Sequence, residues 1–293
     1  LGILIPPSIM LVVMGPILNV PVTDLFAAAI MPGLMLAVLY TGYTLIRCHL
    51  NPSLGPVVPE DLIPDSMREV WIEFFKGLVP PVLLVGSSLG SILAGLATPT
   101  EGAAMGAVGA IFLTLAYRKL TFKVLQDALL KTLEITTLIM VLVCASNFFG
   151  AVFSRLGTPT MLTEYLMVLD LPPMVLLLMI MALIFLLAWP LEWVPIVLII
   201  IPILMPLVVQ ILDQLELPLL WFAILVAVNL QTAWLSPPVA LSAYFLKGVV
   251  PEWDLADIYK GMFQFMMIQV VGLAVIIIFP KIVLWLPTYL YGN

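Results

Sequence analysis

Long apolar segments separated by short polar stretches dominate the chain and predict a bundle of membrane-spanning helices. Several segments reach the roughly 18 to 20 residues that a helix needs to cross a bilayer. The predicted complete spans are residues 25–46, 78–97, 102–117, 133–153 and 261–286. Between them we expect a short interfacial helix at 66–75, a short amphipathic connector with four basic residues at 118–131 and a polar loop at 154–170. The pattern therefore predicts an all-α, polytopic membrane protein.

Two apolar segments are interrupted by double prolines, each next to a serine. The first break is Pro6-Pro7-Ser8 and the second is Ser236-Pro237-Pro238. A proline inside a helix removes a backbone hydrogen bond and clashes with the preceding turn, which costs about 3 kcal/mol or more. Because hydrocarbon offers no water to replace that bond, broken backbone is tolerated where it lines a cavity or an ion site. Broken helices in corresponding halves of a membrane protein point to the binding site of a transporter.

The segment 171–209 is apolar except around positions 189–195, where Glu192 is the only acid between Asp170 and Asp213. The segment is either a re-entrant helical hairpin or two complete spans joined by a tight turn. In the first case Glu192 lies at the tip, near the second break, and in the second case it lies at the cytoplasmic interface. A carboxylate at mid-bilayer costs roughly 2.5 to 3.5 kcal/mol and usually faces a cavity or a partner. We favour the tip.

The distribution of basic residues predicts the orientation, because cytoplasmic loops are rich in Lys and Arg. Counting the crossings places nine of the eleven Lys and Arg residues on one face, which we assign as cytoplasmic. The two broken segments then run in opposite directions. Similar spans follow them, one opening with Asp24-Leu25-Phe26 and the other with Asp257-Ile258-Tyr259. These features predict an inverted-topology repeat.

The predicted organisation has three parts. Residues 1–47 form the end of the first repeat, with its broken helix and the following span, and residues 48–77 form a polar cytoplasmic connector. Residues 78–293 form the second repeat with its scaffold spans. This last part contains the hairpin 171–209, the broken helix 217–246 and the final span 261–286. Because the chain opens inside an apolar segment without a signal-like start, we expect it to be the C-terminal portion of a longer protein.

The composition excludes several classes of function. The chain is 63% hydrophobic and 10% charged, which excludes a soluble domain, and no basic patch indicates nucleic acid. Cys48 and Cys144 lie in different segments, so neither a disulfide nor a transition-metal site is expected. Gly86-Ser87-Ser88-Leu89-Gly90 matches a nucleophile pattern, but it lies in a predicted membrane helix, and His49 is the only histidine. We therefore expect no enzyme.

Small residues instead predict close helix packing in this region. Two stripes have the required spacing: Gly86, Gly90 and Ala94 in one helix, and Gly102, Gly106 and Ala110 in the next. The second helix also has a start signal. Thr98 is expected to be its N-cap and Glu101 to return a hydrogen bond to that cap, with Pro99 at the first helical position.

Each proline break leaves carbonyl groups without helical partners on one side and free N–H groups on the other. The carbonyl oxygens can coordinate a small cation, and the N–H ends attract a carboxylate. The hydroxyls of Ser8 and Ser236 add oxygen ligands, which suit a hard cation rather than a thiophilic metal. The alternative is that the prolines only kink two helices. Asn229 and Gln231 either reach the same site or join helices by hydrogen bonds, and the sequence favours neither.

Motifs along the whole chain resemble those of one family. They are residues 1–9, 24–28 and 95–104, then 229–232 with 236–238, and finally 257–261 and 279–287. In these stretches the chain resembles the large membrane subunit of the tripartite ATP-independent periplasmic (TRAP) transporters.

The resemblance implies a multi-pass permease of the bacterial inner membrane that imports small organic acids, such as dicarboxylates, by symport with sodium. It implies no cofactor other than Na⁺ as the coupling ion. The expected partners are a small four-helix membrane subunit, a periplasmic substrate-binding protein, the organic-acid substrate and the lipid bilayer. The implied fold has two inverted repeats, each with a re-entrant hairpin and a broken helix.

The resemblance also assigns candidate site residues. One sodium site would use Pro6 and Ser8, and the other would use Ser236 and Pro237 with the hairpin tip at Glu192 and Val194. The expected substrate-binding residues are Pro7, Asn229, Gln231 and Pro238. The family tip commonly carries an Asp followed by small or hydroxylated residues, whereas Glu192-Trp193-Val194-Pro195 is bulkier. We therefore expect backbone carbonyls to be the ligands there.

One departure from the family pattern and two alternative functions are weighed against this assignment. The first hairpin of the family would precede Leu1, so the first sodium site is expected to be incomplete within these residues. The alternatives to an importer are a structural or assembly subunit of the membrane without its own ion site, and an intramembrane enzyme.

Overall fold

A computed structural model describes residues 1–55, 66–168, 170–237 and 240–292. Within these ranges all regular structure is helical, which confirms the predicted all-α class. Six of the helices are long and apolar enough to cross a membrane. The chain is therefore a polytopic helical membrane protein.

The helices follow one another closely. In chain order they are α1 (Ile9–Leu18), α2 (Val22–Leu50), α3 (Met67–Leu93), α4 (Pro99–Ala116), α5 (Phe122–Arg155), α6 (Thr158–Val168), α7 (Pro173–Ala188), α8 (Trp193–Leu215), α9 (Leu219–Leu230), α10 (Leu241–Val249), α11 (Leu255–Ile278) and α12 (Lys281–Tyr291). Helix α8 contains a π-helical turn at Ile196–Ile200, and α9 continues into a 3₁₀ turn at Gln231–Trp234.

The chain divides into two compact units. One contains residues 1–37 and 132–293, and the other contains residues 38–131. Both of the proline breaks that the sequence analysis singled out lie in the first unit, together with the hairpin α7–α8. The predicted inverted repeat and its connector at 48–77, of which 56–65 lie outside the described residues, stay predictions.

Helix α9 is the centre of the first unit. Every residue from Trp221 to Leu230 is buried, and α9 packs against α1, α7, α11 and α12. Two buried side chains donate hydrogen bonds between α9 and α11. The indole Nε1 of Trp221 donates to the carbonyl of Ile276 at 3.2 Å, and Nε2 of Gln269 donates to the carbonyl of Val228 at 2.8 Å. A helix that is apolar on nearly every side is typical of the buried centre of a helix bundle.

Helices α3 and α4 form a closely packed pair in the second unit. The predicted capping box is confirmed, because the backbone N–H of Thr98 donates to Oε2 of Glu101 at 2.8 Å and Oγ1 of Thr98 accepts from the N–H of Glu101 at 3.3 Å. The hydroxyl of Ser88 is buried and donates to the carbonyl of Gly102 at 2.6 Å. The helix start and one hydrogen bond thus fix how α4 lies on α3.

Only one of the two predicted glycine stripes packs within the chain. A Cβ added to Gly102 would lie 2.6 Å from the side chain of Ile92, and one added to Gly106 would lie 3.4 Å from Oγ of Ser88. At Gly86 and Gly90 an added Cβ would have no neighbour within 4 Å. The packing predicted for those two glycines is therefore wrong for the described part of the chain.

A third double proline, Pro80-Pro81, lies inside α3 without ending it. The short helix predicted at 66–75 and the span predicted at 78–97 are one helix, so the predicted boundary between them is wrong. Pro80 has no N–H for the carbonyl of Lys76, and that carbonyl instead accepts a hydrogen bond from Oη of Tyr117 at 2.9 Å. A neighbouring side chain that satisfies the freed carbonyl allows the helix to continue.

Three other predicted boundaries are wrong. Helix α5 begins at Phe122, within the connector predicted at 118–131, and helix α6 lies within the loop predicted at 154–170. Polar residues on exposed helical turns caused both errors. The span predicted at 261–286 ends at Ile278, and α12 follows as a separate helix. Pro280 explains this interruption, because a proline supplies no N–H to continue the preceding helix.

Candidate functional site

The second proline break is confirmed. Helix α9 ends at Leu230, the 3₁₀ turn follows, the chain is not helical from Leu235 to Pro237, and α10 begins at Leu241. Ala240 has a left-handed backbone with φ of 30°, and its N–H donates to the carbonyl of Ser236 at 3.0 Å. Pro238, a predicted substrate residue, lies outside the described residues. Pro237 helps to keep the chain from continuing as a helix, because it has no N–H to donate to the carbonyl of Ala233 one turn earlier.

Polar side chains around the second break are buried, and several of their atoms have no hydrogen-bond partner among the described residues. Asn229 is fully buried, Gln231 is 4% exposed and Ser236 is 1% exposed. Nδ2 of Asn229 donates to the carbonyl of Met181 at 2.8 Å. Within the described residues, five buried side-chain atoms have no hydrogen-bond partner, and all five lie at this break. They are Asn229 Oδ1, Gln231 Oε1 and Nε2, Trp234 Nε1 and Ser236 Oγ.

An unsatisfied buried polar group costs about 1 to 3 kcal/mol, so each one in a native structure calls for an explanation. The oxygens of Asn229, Gln231 and Ser236 are the hard ligands that an alkali or alkaline-earth ion takes. The N–H groups of Gln231 and Trp234 are donors suited to a carboxylate. The turn therefore presents cation ligands and anion donors side by side.

A cavity of about 510 Å³ borders this turn. Its lining includes Ser236 and Pro237 from the break, Trp189 from the end of α7, and Tyr259, Lys260 and Gln264 from α11. Nζ of Lys260 lies 2.9 Å from Oδ1 of Asp257. The structure thus brings the turn of the hairpin and the second break to one cavity of the volume, roughly 300 to 1,000 Å³, that small ligands occupy.

The residues between α7 and α8 form the turn of the hairpin. Glu192 is half-buried and precedes the first residue of α8, and its side chain makes no capping hydrogen bond. The positive end of the helix dipole at this position favours a carboxylate. Val194 is buried, and the π-helical turn that follows it is a feature often found at functional sites. A re-entrant hairpin and two complete spans share this geometry, so the depth of Glu192 in the membrane stays a prediction.

The chain is not helical at Pro6-Pro7, as predicted, and the hydroxyl of the neighbouring Ser8 is already engaged. Pro6 is buried and Pro7 is exposed, and α1 begins only at Ile9. The hydroxyl of Ser8 donates to the carbonyl of Ile3 and accepts a hydrogen bond from the N–H of Leu11 at 3.4 Å. Ser8 is therefore the N-cap of α1, with one oxygen lone pair left for another interaction.

The elements next to the two breaks pack against different parts of the group formed by α7, α8 and α9. Helix α1, which follows the first break, packs against α9 and against the π-helical turn of α8. The 3₁₀ turn at the second break packs against α7. The sequence analysis did not identify Trp234 as a candidate site residue. The signal that could have identified it is its position in an apolar segment, just before the second break.

Comparison with known proteins identifies the family. The model of the tripartite ATP-independent periplasmic transporter, DctM component, matches residues 1–282. The chain belongs to the DctM family. Over 293 residues it is 26% identical to the sialic acid TRAP transporter permease protein SiaT of Haemophilus influenzae, covering 99% of this chain and 45% of that protein.

Two further relatives are also named as TRAP transporter large permease proteins. The sialic acid TRAP transporter large permease protein SiaM of Vibrio cholerae is 28% identical over 297 residues, with 100% of this chain and 66% of SiaM covered. The C4-dicarboxylate TRAP transporter large permease protein DctM of Pseudomonas aeruginosa is 28% identical over 294 residues, with 99% and 65% covered. The chain thus spans between 45% and 66% of the length of these three relatives.

Membership of the DctM family confirms the resemblance seen in the sequence. Together with the six candidate spans, it places the chain among the multi-pass proteins of the bacterial inner membrane. The relatives are named as transporter permeases, which points to a protein that is not an enzyme. Ser88, at the centre of the nucleophile-like pattern, accordingly joins α3 to α4 by its bond to Gly102.

Proposed function

We propose that this DctM-family chain belongs to a sodium-coupled importer of small organic acids and carries an ion site at its second helix break. One observation supports this above all others: buried polar atoms without partners are concentrated at the turn that ends α9, beside a cavity of about 510 Å³. The names of the relatives, which specify sialic acid and C4-dicarboxylates, support an organic acid as the substrate.

In this proposal Na⁺ binds to Ser236 Oγ, to the side-chain oxygens of Gln231 and Asn229, and to backbone carbonyls near Pro237. Carbonyl ends of broken helices hold cations in this way in secondary transporters. The hairpin turn at Glu192 and Val194 contributes backbone oxygens to the same site. The first break, at Pro6 and Ser8, supplies part of a second sodium site.

The substrate carboxylate occupies the cavity, where donors are available. The donor in the cavity lining is the ammonium group of Lys260. The N–H groups of Gln231 and Trp234 belong to the buried turn beside the cavity, and the N-terminal end of α10 adds a positive dipole there. A neighbouring Na⁺ strengthens the attraction for a carboxylate and couples the two binding events.

Sodium entry drives accumulation. Each Na⁺ moving down a potential of 100 mV contributes about 2.3 kcal/mol, so a few ions support strong uptake. The tripartite family description supports two partners, a small membrane subunit and a periplasmic substrate-binding protein. Movement of the hairpin-bearing unit in an elevator-like or rocking manner would expose the site alternately to the two sides.

Uptake by the complete permease and its partners in proteoliposomes tests the proposal, with sodium and potassium gradients compared. We expect uptake only with sodium, and Ser236→Ala to require a higher sodium concentration. Ser87→Ala is the matched control, since the Ser87 hydroxyl is exposed and bonds only within α3, to Leu84. Equal uptake with potassium would contradict sodium coupling. Sodium-dependent uptake that Ser236→Ala leaves unchanged would contradict the proposed site and favour a structural role for this chain.

A further inference from the structure

A groove of about 490 Å³ lies within the second unit, between the N-terminal part of α3 and the C-terminal end of α4. It is lined by Lys76 and Gly77 of α3, by Leu113 and Thr114 of α4, and by Tyr117 and Lys119 just beyond α4. Throughout the ranges that the structure describes, neither lysine ammonium group has a hydrogen bond or an ion pair. Two unpaired cations therefore border one partly apolar groove.

The backbone at both lysines is held in place. The carbonyl of Lys76 accepts the hydrogen bond from Oη of Tyr117 at 2.9 Å, and the N–H of Lys119 donates to the carbonyl of Thr114 at 3.0 Å. Pro81 supplies no N–H to the carbonyl of Gly77, which leaves an acceptor in the wall of the groove. A Cβ on Gly77 would have no neighbour within 4 Å, so the space above this glycine is open.

The neighbouring residues place the groove at the depth of lipid headgroups. Trp71, Phe74 and Phe75 are about half exposed, and the rings of Trp71 and Phe75 stack with centroids 5.7 Å apart. Exposed aromatic rings of this kind are typical of the membrane–water interface. From Lys76 to Leu93, α3 advances about 26 Å at about 1.5 Å per residue, close to the roughly 30 Å thickness of the hydrocarbon core.

We infer that this groove binds the headgroup of an anionic phospholipid, with Lys76 and Lys119 contacting its phosphate. Basic pockets between membrane helices at the interface are suited to such headgroups. Leu113 offers an apolar surface to the glycerol and the first acyl carbons, and the Gly77 carbonyl can accept from a headgroup hydroxyl. Glu69 and Glu73 lie earlier on α3 and do not line the groove.

Native mass spectrometry of the full-length permease in detergent, titrated with phosphatidylglycerol or with phosphatidylcholine, tests the charge requirement. Each lysine near an anionic surface is expected to contribute about fivefold to affinity, so Lys76→Gln with Lys119→Gln should weaken phosphatidylglycerol binding about 25-fold. Replacing both lysines by arginine should retain binding, and Lys123→Gln, which lies outside the groove, should leave it unchanged. Unaltered binding by the double glutamine variant would overturn the inference, and so would equal loss in Lys123→Gln.

A steric variant tests the same groove with both charges present. Gly77→Leu projects into the open space and should reduce phosphatidylglycerol binding, whereas Gly86→Leu, in open space elsewhere on α3, should not. If Gly77→Leu binds the lipid as the parent protein does, the groove is not the binding place. Millimolar inorganic phosphate is expected not to displace the lipid, and displacement would show that free phosphate rather than a phospholipid is the ligand.

Discussion

Replacing Ser236 with alanine separates an ion ligand from a packing group, because the two roles predict opposite effects on stability. The hydroxyl is 1% exposed and has no hydrogen-bond partner among the residues that the structure describes. Without sodium, its removal relieves an unsatisfied buried group, whose burial costs about 1 to 3 kcal/mol. We therefore expect the sodium-free variant to be at least as stable as the parent protein.

With sodium bound, the same substitution removes one oxygen ligand. Taking the value of a hydrogen bond to a charged group, about 1.5 to 3 kcal/mol, as the scale of this contact, the affinity for Na⁺ should fall about 12-fold to 150-fold. The variant should thus need about 12-fold to 150-fold more sodium than the parent protein to reach the same stabilisation.

Thermal unfolding of the purified permease in detergent measures both effects, with NaCl varied against KCl at constant ionic strength. A ligand that binds only the folded state stabilises it by about 2.7 kcal/mol when present at about 100 times its Kd, so the parent protein should show a clear sodium-dependent rise in Tm. Ser87→Ala should show the same rise. The reasoning would be refuted if Ser236→Ala lost stability in KCl and kept the full response to sodium.

Three further substitution pairs test the packing. Trp221→Phe should lower the free energy of unfolding by at least about 1 kcal/mol more than Trp234→Phe, because only the first substitution removes a hydrogen bond, the one to Ile276. Equal losses in chemical denaturation would count against this difference. Gly102→Ala should cost about 1 to 3 kcal/mol through its clash with Ile92, whereas Gly90→Ala should be neutral or stabilising, and a reversed order of Tm values would contradict the packing. Tyr117→Phe should cost about 1 kcal/mol by freeing the Lys76 carbonyl, while Tyr289→Phe, whose residue is 75% exposed, should not change Tm.

The proline breaks could be predicted from the sequence because their cause is local. A proline lacks an N–H wherever it lies. Accordingly, α1 begins only after Pro6-Pro7, and the chain is not helical at Ser236-Pro237. Pro80-Pro81 shows where this reasoning fails. The outcome there depends on Tyr117, 37 positions further along the chain, whose hydroxyl satisfies one freed carbonyl.

The roles of the two serines also depended on distant structure. In the sequence Ser8 and Ser236 look equivalent, but Ser8 caps α1 and Ser236 is buried without a partner. The glycine stripes differ for the same reason, since only Gly102 and Gly106 face a neighbouring helix. Local chemistry predicts where a helix can end, whereas tertiary contacts decide which polar groups remain available for a ligand.

Direct measurement of Na⁺ binding to the purified full-length permease, by isothermal titration with K⁺ as the reference, tests the central claim. The parent protein should bind Na⁺ saturably, and combining Gln231→Met with Ser236→Ala should abolish binding at the second break while the protein stays folded. Sodium binding with unchanged affinity and stoichiometry in that double variant would contradict the claim that the buried oxygens at this break hold the coupling ion.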